Sequence, residues 1–381
     1  MRFLLLSYAY EPGLSADAGG FRKLWELAAA LARRGEDVEV LYPRLGGHRP
    51  LRRVPSRAYA VIDCWIARPA TAYAAMLGAA LSTRPRPNVV YFRAGMNVLP
   101  VLLRHALGSR VVLEVNADPL EFMDVEGAGQ AARRIARAAL RLSARASDLI
   151  VAVTPGLGRR LIEEYGVRRD RVVVIPSATD SAHFTPVEAA VARRQLDLPA
   201  ERPTIGFVGL FYRHQGVPTL LHALTKLRPR VPGLLALVVG DGAMRREWEA
   251  LAAALDLGDT VRFTGQVPYA SVPAYFNAMD VVVAPFTAHR GETSPFKVLD
   301  ALACARPVVA SDLPSVRPLG ESGALVLIPP DDPSALADAV ASLLADPGHR
   351  IAIGWKGRGY IEQHASWDRA AATLVDALAR R

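Results

Sequence analysis

The sequence is poor in cysteine and contains no long apolar run. Its two cysteines among 381 residues, Cys64 and Cys304, lack the paired spacing of a zinc site or a redox motif. We therefore expect two buried thiols in a reducing compartment. No stretch of roughly 18 apolar residues runs without a charge or a proline, which argues against a membrane-spanning helix. The apolar stretch after Met1 is too short for a signal peptide, so we expect a cytoplasmic protein.

Lysine is also scarce, and the positive charge is unevenly distributed. Only four of the 46 basic residues are lysines. Residues 1–180 contain 26 Lys and Arg against 17 Asp and Glu, whereas the remaining residues contain 20 of each. The whole net charge of +9 therefore lies in the first half. This asymmetry predicts an anionic partner for that half, such as a membrane surface, an acidic acceptor or nucleic acid.

Short apolar runs alternate with longer segments of helical periodicity along the chain. The runs are apolar throughout, as in parallel strands that are covered on both faces. The predicted strands are residues 2–7, 38–42, 89–92, 111–115, 149–153 and 172–175, then, after a turn-rich joint, 204–208, 235–239, 261–264, 281–284, 308–310 and 325–328. The pattern predicts an α/β protein with two doubly wound sheets. Ligands of such sheets bind at the carboxyl ends of the strands, so we expect a substrate cleft between the two domains.

Glycine turns follow three of these predicted strands. Gly19 and Gly20 precede a predicted helix at residues 21–33, where unpaired N–H groups and the helix dipole favour an anion. The GxGxxG spacing of a dinucleotide site is absent, and an ordinary flexible turn is the alternative. Gly209 and Gly240 end two strands of the second half in the same way. Together these turns predict a cleft that binds a nucleotide.

The stretch from residue 285 to residue 307 carries the chemistry. Glu292 and Asp300 lie eight residues apart, the first in a predicted loop and the second inside the helix that Pro295 starts. Carboxylates accept hydrogen bonds from sugar hydroxyls and from ribose. Lys297 stands between them in a sequence that uses arginine almost everywhere else, which favours a compact ammonium at this position. The alternative is a surface lysine.

In these segments the sequence resembles retaining glycosyltransferases of the GT-B type, specifically glycosyltransferase family 4. The matching segments are Gly19-Gly20, Arg34-Gly35, residues 147–154, residues 209–216, residues 239–242, residues 263–265, Glu292-x7-Asp300 and residues 366–368. The resemblance implies two Rossmann-like domains that face each other across a cleft. Residues 1–180 would form an acceptor domain, residues 181–361 a nucleotide-sugar donor domain, and residues 362–381 a helix that crosses back to the first domain. The implied activity is retaining transfer of a hexosyl-type sugar to an acceptor hydroxyl, in glycan or glycoconjugate biosynthesis.

The resemblance also implies roles for single residues. Glu292 would hold sugar hydroxyls near the reacting carbon, and Asp300 would bind ribose where the family usually has glutamate. Asn116 and Asp118 complete the predicted catalytic set, with Asp118 as a base or an acceptor ligand; its alternative role is to cap the following helix. The predicted donor-binding residues are Gly19, Gly20, Gly209, Arg213, Gln215, Gly240, Asp241, Val267, Thr293, Ser294, Lys297 and Asp300.

Two departures from the family pattern matter. The family generally has histidine where this chain has Asn116, and an amide cannot titrate, so a histidine-dependent step is excluded there. The phosphate-gripping arginine and lysine of the family are Leu210 and Gln215 here. Arg213 and His214 lie in the same loop and are the candidates for the missing charge.

Transfer requires stabilisation of an oxocarbenium-like centre and of the departing diphosphate. The helix N-termini near Gly20 and Thr293, together with Lys297 and Arg213, would stabilise the diphosphate without a metal. No Asp-x-Asp motif lies at a plausible strand end, so we expect no metal and no cofactor. The resemblance favours attack by the acceptor on the same face as the leaving phosphate.

The acceptor is expected to contact the basic first half. Arg133, Arg137, Arg141 and Arg145 recur at four-residue spacing on one predicted helix. Membrane phospholipid or a lipid-linked anionic acceptor fits this pattern, and a solvated arginine-rich helix is the alternative. Nucleic acid fits less well, because no aromatic residues are interleaved with these arginines. Two other functions stay open: a nucleotide-sugar epimerase of the same architecture, and a non-catalytic scaffold that binds membrane or protein.

Overall fold

The computed structural model of the chain describes residues 1–7, 19–44, 50, 52–61, 68–94, 99–118, 120, 123 and 129–381. Cys64 and part of the first half therefore lie outside the described residues. The described residues form two compact units. Unit 1 contains Met1–Ser177, Glu292–Ser294 and Trp367–Arg381, and unit 2 contains Ala178–Gly291 and Pro295–Ser366.

Unit 1 is built on a parallel sheet. Its strands are β1 (Arg2–Leu6), β2 (Asp37–Arg44), β3 (Ser56–Ala60), β4 (Val89–Arg93), β5 (Arg110–Val115), β6 (Leu149–Ala152) and β7 (Val172–Val174). Its helices are α1 (Gly19–Arg33), α2 (Arg68–Leu81), α3 (Leu99–Leu107), α4 (Gln130–Ala146), α5 (Pro155–Glu163) and, at the end of the chain, α14 (Trp367–Ala379). Among the described residues the strand order is β3-β2-β1-β4-β5-β6-β7. The order reverses at β1, which makes the sheet doubly wound.

Unit 2 repeats this architecture. Its strands are β8 (Thr204–Val208), β9 (Leu235–Val239), β10 (Val261–Gly265), β11 (Val281–Ala284), β12 (Val308–Ser311) and β13 (Val326–Ile328), in the order β10-β9-β8-β11-β12-β13. Its helices are α6 (Ala189–Gln195), α7 (Val217–Leu227), α8 (Arg245–Ala254), α9 (Val272–Ala278), α10 (Phe296–Ala303), α11 (Arg317–Glu321), α12 (Pro333–Ala345) and α13 (Pro347–His364).

The two-sided burial of the strands explains their unbroken apolar sequence. In β9, Leu235, Leu237 and Val239 pack into one apolar cluster, whereas Ala236 and Val238 pack into another. Successive side chains of a strand point to opposite faces, so both faces of the sheet are covered. Burying one Val or Leu side chain stabilises the fold by about 1.5–3 kcal/mol.

The predicted fold is confirmed, with one strand missed. Each of the twelve predicted strands is present, with ends within two residues of the prediction. The sequence did not predict β3, because Ser56–Ala60 lies at the edge of the sheet and contains no apolar run. Cys304 is buried at the end of α10, where burial raises the pKa of its thiol to about 12, as expected for an unreactive cysteine.

The last helix belongs to unit 1. Helix α14 packs on α1, and Asp368 accepts a hydrogen bond of 2.8 Å from Arg33. Arg110, on β5, donates to the carbonyl oxygen of Leu378 at 2.6 Å. The side chain of Leu374 is fully buried. The chain therefore ends on the unit in which it began.

Candidate functional site

Glycines at the carboxyl edge of the second sheet have no room for a side chain. Gly209 follows β8 with φ +153°, and Gly240 follows β9 with φ +129°. A Cβ at Gly240 would overlap the carbonyl oxygen of Gly209. A Cβ at Gly209 would lie 2.7 Å from the Nζ atom of Lys297. The backbone therefore comes close to the lysine at the edge where ligands of such sheets bind.

Lys297 is held on aromatic rings near the start of α10. Its Nζ atom lies 3.5 Å from the ring centroid of Phe207 and 5.4 Å from that of Phe286. It donates a hydrogen bond of 2.5 Å to Oε1 of Gln215. Burial lowers the pKa of Lys297 well below its usual value, and the positive charge of Arg290 lowers it further. The alternative of an ordinary surface lysine does not fit this environment.

Gln215 links Lys297 to His214. The Nε2 atoms of Gln215 and His214 lie 2.9 Å apart, and the amide nitrogen is the donor because its oxygen already accepts from Lys297. Burial lowers the pKa of His214 to about 4, with further contributions from Arg290 and Lys297. His214 is thus neutral at pH 7 and does not supply the missing positive charge.

The other candidate cation, Arg213, faces solvent. Its side chain is 64% exposed, and its Nη2 atom lies 3.8 Å from a carboxylate oxygen of Glu247. Sequence reasoning missed a different arginine, Arg290, whose guanidinium carbon lies 3.9 Å from the ring centroid of Phe286. Its position directly before Gly291 and Glu292 was the only signal in the sequence.

The three remaining predicted donor residues of unit 2 lie in separate environments. Asp300, partly buried on α10, accepts a hydrogen bond of 2.5 Å from the hydroxyl of Thr179. Asp241 accepts from Arg245 at 2.9 Å and from the backbone N–H of Gly242 at 2.8 Å. Val267 is partly buried against the apolar cluster that contains Leu235 and Val239. Ligand contacts for these residues stay predictions.

A buried ion pair lies at the carboxyl end of β5 in unit 1. Lys23 of α1 pairs with Glu114 of β5, and the two side chains are 5% and 1% exposed. The Nζ atom of Lys23 also donates to Oδ1 of Asn116 at 2.8 Å and to the hydroxyl of Ser177 at 3.2 Å. The ion pair therefore fixes the orientation of the Asn116 amide, at the position where the family usually has histidine.

The charges of this pair are coupled. Burial lowers the pKa of Lys23, although Glu114 opposes this effect. Burial by itself would raise the pKa of Glu114, but Lys23 and then Arg93 outweigh it, and the pKa of Glu114 lies below its usual value. Sequence reasoning missed Lys23. The scarcity of lysine, which drew attention to Lys297, could have found it.

Asp118 lies in a buried network that accounts for both of its oxygens. Its Oδ1 atom accepts from the backbone N–H of Leu120 at 2.8 Å and from the hydroxyl of Tyr165 at 3.0 Å. Its Oδ2 atom lies 2.8 Å from Arg160. These contacts favour the capping role that was the alternative at this position. A catalytic role for Asp118 stays a prediction.

The segment Glu292–Ser294 joins the polar network of unit 1. The hydroxyls of Ser294 and Ser177 share a hydrogen bond of 2.6 Å, so Ser294 connects through Ser177 to Lys23. The carboxylate of Glu292 packs against Gly156, in the first turn of α5, where the helix dipole favours a negative charge. Thr293, between them, is partly buried. Gly19 and Gly20 form the first turn of α1, as a backbone phosphate site requires.

The carboxylate of Glu292 occupies space that a side chain at position 156 would fill. A Cβ at Gly156 would overlap Oε1 of Glu292, the mobile end of a flexible side chain. We predict that Gly156→Ala leaves the melting temperature within a few degrees of wild type but lowers transfer at least about 10-fold, because the carboxylate must move. Gly78→Ala, where a Cβ meets no atom within 4 Å, is the matched control and should retain full activity. Full activity of Gly156→Ala would show that this placement of Glu292 is unimportant.

No helix in the described part of the chain is long and apolar enough to cross a membrane. No group of three or more His, Cys, Asp or Glu side chains with the geometry of a metal site occurs among residues that the structure describes. The predicted independence from metal stays a prediction.

Two family models match most of the chain. Residues 19–178 match the model for a glycosyl transferase 4-like domain, and residues 202–346 match the model for glycosyl transferases group 1. The chain belongs to glycosyltransferase family 4. Membership confirms the resemblance that the motifs of the sequence indicated, and the two matched segments correspond to the two α/β series.

One named protein is similar to this chain in sequence, and two solved structures are similar to it in fold. The chain is 33% identical over 249 residues to the D-inositol 3-phosphate glycosyltransferase of Xylanimonas cellulosilytica, a match that covers 62% of this chain and 57% of that protein. Sucrose-phosphate synthase from Thermosynechococcus elongatus has a similar structure, with a TM-score of 0.81, 22% identity and coverage of 100% and 98%. Anabaena HepE in complex with UDP and glucose gives a TM-score of 0.80, with 20% identity and coverage of 100% and 99%. At these identities the two structures establish the GT-B fold alone.

Proposed function

We propose that this family 4 member transfers a hexosyl-type sugar from a nucleotide-sugar donor to an acceptor hydroxyl, with retention of configuration and without a metal. The observation that carries the proposal is the position of Lys297, held on Phe207 beside Gly209 at the carboxyl edge of the second sheet. A partly buried ammonium beside side-chain-free backbone is suited to a diphosphate. HepE, which has the same fold, was solved with UDP and glucose.

Each predicted residue has a distinct part in the chemistry. Lys297 and the backbone at Gly209 and Gly240 bind the diphosphate as it departs, and Asp300 accepts hydrogen bonds from ribose. Glu292 holds the sugar hydroxyls, and Asn116 offers its amide to the sugar or the acceptor. The acceptor hydroxyl attacks from the face of the leaving phosphate and passes its proton to that phosphate.

The acceptor class follows from the charge of the first unit. The Xylanimonas relative is named for a phosphorylated inositol, and the excess positive charge of this chain lies in residues 1–180. An anionic hydroxyl acceptor, free or attached to a lipid, fits both observations. Incubation with UDP-, GDP-, ADP- and dTDP-sugars and such acceptors should release nucleoside diphosphate and give a product heavier by one sugar. Isomerisation of the donor without acceptor would favour the epimerase instead.

Helix α4 supplies a surface for a membrane-bound acceptor. Ile135 and Leu142 lie seven residues apart on the same side of the helix and are 64% and 48% exposed. The side chains of Arg137, Arg141 and Arg145 are also exposed. Exposed apolar residues beside arginines are typical of helices that lie on anionic membranes.

We predict that the chain sediments with vesicles containing phosphatidylglycerol and not with pure phosphatidylcholine vesicles. Replacing Arg137 and Arg141 by glutamine should weaken this binding at least about 10-fold, because each arginine near an anionic surface contributes about 1 kcal/mol. Arg246 and Arg262, exposed in unit 2, are the matched control for the same loss of charge. Equal binding by both double variants would exclude α4 as the membrane surface and leave it a solvated helix.

A further inference from the structure

The diphosphate site of this chain lacks the two cations that the family pattern leads one to expect. Leu210 and Gln215 occupy their positions. The side chain of Leu210 is 44% exposed, and Gln215 is a buried amide that accepts from Lys297. A nucleoside diphosphate carries two or more negative charges near neutral pH, and Lys297 by itself offsets only one of them.

The two basic residues of the same loop do not fill this role. Arg213 is directed to the surface carboxylate of Glu247. His214 is buried and neutral, and it receives a hydrogen bond from Gln215. The replacement cation therefore has to come from another element.

Arg290 and Lys297 both lie over the ring of Phe286. It ends the short turn Ala288–Arg290 that follows β11, and its guanidinium stacks on the ring of Phe286 at 3.9 Å. Lys297 faces that same ring at 5.4 Å. Among the charged groups, Arg290 has the largest effect on the pKa of Lys297 and on that of His214. In both cases it lowers the pKa, because its positive charge disfavours a second one. A bound anion would offset the repulsion between the positive charges of Arg290 and Lys297 in this partly buried region.

We propose that Arg290 is the second diphosphate-binding cation of this chain and replaces the basic residues lost at Leu210 and Gln215. Its planar guanidinium suits bidentate binding of phosphate oxygens, and its stacking on Phe286 limits the freedom that binding would otherwise remove. Burial lowers the pKa of Arg290 to about 9, so it still carries its charge at pH 7. The inference rests on the proposed function, because it presupposes a nucleoside diphosphate in the site.

The test is a titration of the full chain with UDP, GDP, ADP and dTDP, each compared with its monophosphate. For the base that binds, Arg290→Gln should weaken diphosphate binding on the order of 10- to 100-fold, the size of a charge-assisted hydrogen bond. Monophosphate binding should change less than about threefold. Arg290→Lys should recover part of the loss, because it keeps the charge without the fork of donors. Arg230→Gln, which removes a positive charge from the surface of unit 2, is the matched control and should bind like wild type.

The outcomes separate this inference from the function on which it rests. If wild type binds none of the four diphosphates, the proposed function fails and the inference with it. If wild type binds a diphosphate and Arg290→Gln binds it equally well, the inference is overturned and the function stands. An equal loss for diphosphate and monophosphate would overturn it too, since it would report a damaged pocket. Circular dichroism and thermal melting of each variant identify misfolding. If Arg290→Gln is misfolded, Arg290→Lys decides: weaker diphosphate binding with unchanged monophosphate binding supports the proposal, and wild-type affinity for both contradicts it.

Discussion

Replacing Glu292 by glutamine is expected to lower the rate of sugar transfer at least about 100-fold, the usual effect of losing one electrostatic contact to a transition state. The amide has the same shape but no charge, and it cannot stabilise positive charge at the reacting carbon. The fold should persist, because the carboxylate contributes only about 0.3–1 kcal/mol through the dipole of α5. Steady-state kinetics with a saturating donor measure the effect as a loss in kcat.

The control for this variant is Glu201→Gln. Glu201 is exposed in a turn of unit 2 and is not one of the predicted site residues, so this variant removes one negative charge from the surface. We expect wild-type kinetics from it. Wild-type turnover by Glu292→Gln, with the same melting temperature, would remove Glu292 from the mechanism.

Replacing Lys23 by methionine is expected to lower the free energy of unfolding by about 3–5 kcal/mol, because the buried carboxylate of Glu114 loses its closest partner. Arg93, 3.9 Å from that carboxylate, replaces only part of the interaction. The double variant Lys23→Met, Glu114→Gln should recover most of the loss, since neither charge of the buried pair is then present. Arg230→Met, which breaks the exposed pair with Asp338, should change stability by less than about 1 kcal/mol. Urea unfolding at pH 7 measures all three variants.

The loss in free energy of unfolding that Lys23→Met causes should become smaller as the pH falls. In wild type the folded-state pKa of Glu114 is below its unfolded value, so its stabilisation is present above about pH 4.3 and is lost as the pH falls. In the variant, burial without Lys23 raises the folded-state pKa of Glu114, so protonation at low pH relieves the cost. Protonation of Glu114 in the variant narrows the difference between the two proteins from pH 7 to pH 4, and the loss in wild type narrows it further below about pH 4.3. A difference that is constant over this range would mean that Glu114 is not the source of the loss.

The fold could be predicted from the sequence because strands that are buried on both faces have apolar residues at nearly every position. Runs such as residues 235–239 are apolar at every position, and a helical segment follows each of them. The exception, β3, pairs with β2 at the edge of its sheet, and only one of its five residues, Tyr59, is buried. Sequence alone therefore misses a strand that contains no apolar run.

The candidate site was only partly predictable, for a related reason. Glu292, Lys297 and Asp300 stand in one short segment, so their spacing was visible in the sequence. Arg290 and Lys23 could not be recognised in this way, because their partners are brought close only by folding. Arg290 stacks on the ring of Phe286, and Lys23 pairs with a carboxylate 91 positions later in the chain. Arg213 lies at the right place in the sequence, but its side chain extends to Glu247. Position along the chain therefore predicted a phosphate-binding loop but did not show which of its side chains lies near Lys297.

The most direct test of the proposed function is thermal melting of the chain with a panel of UDP-, GDP-, ADP- and dTDP-sugars. At a concentration of 100 times Kd, a ligand stabilises the folded state by about 2.7 kcal/mol, which corresponds to a rise of about 5–10 °C for units of this size. We predict such a rise for at least one donor, its loss in Asp300→Ala, and its retention in the surface control Asp338→Ala. No rise with any nucleotide sugar would contradict the assignment of a donor site to the second unit.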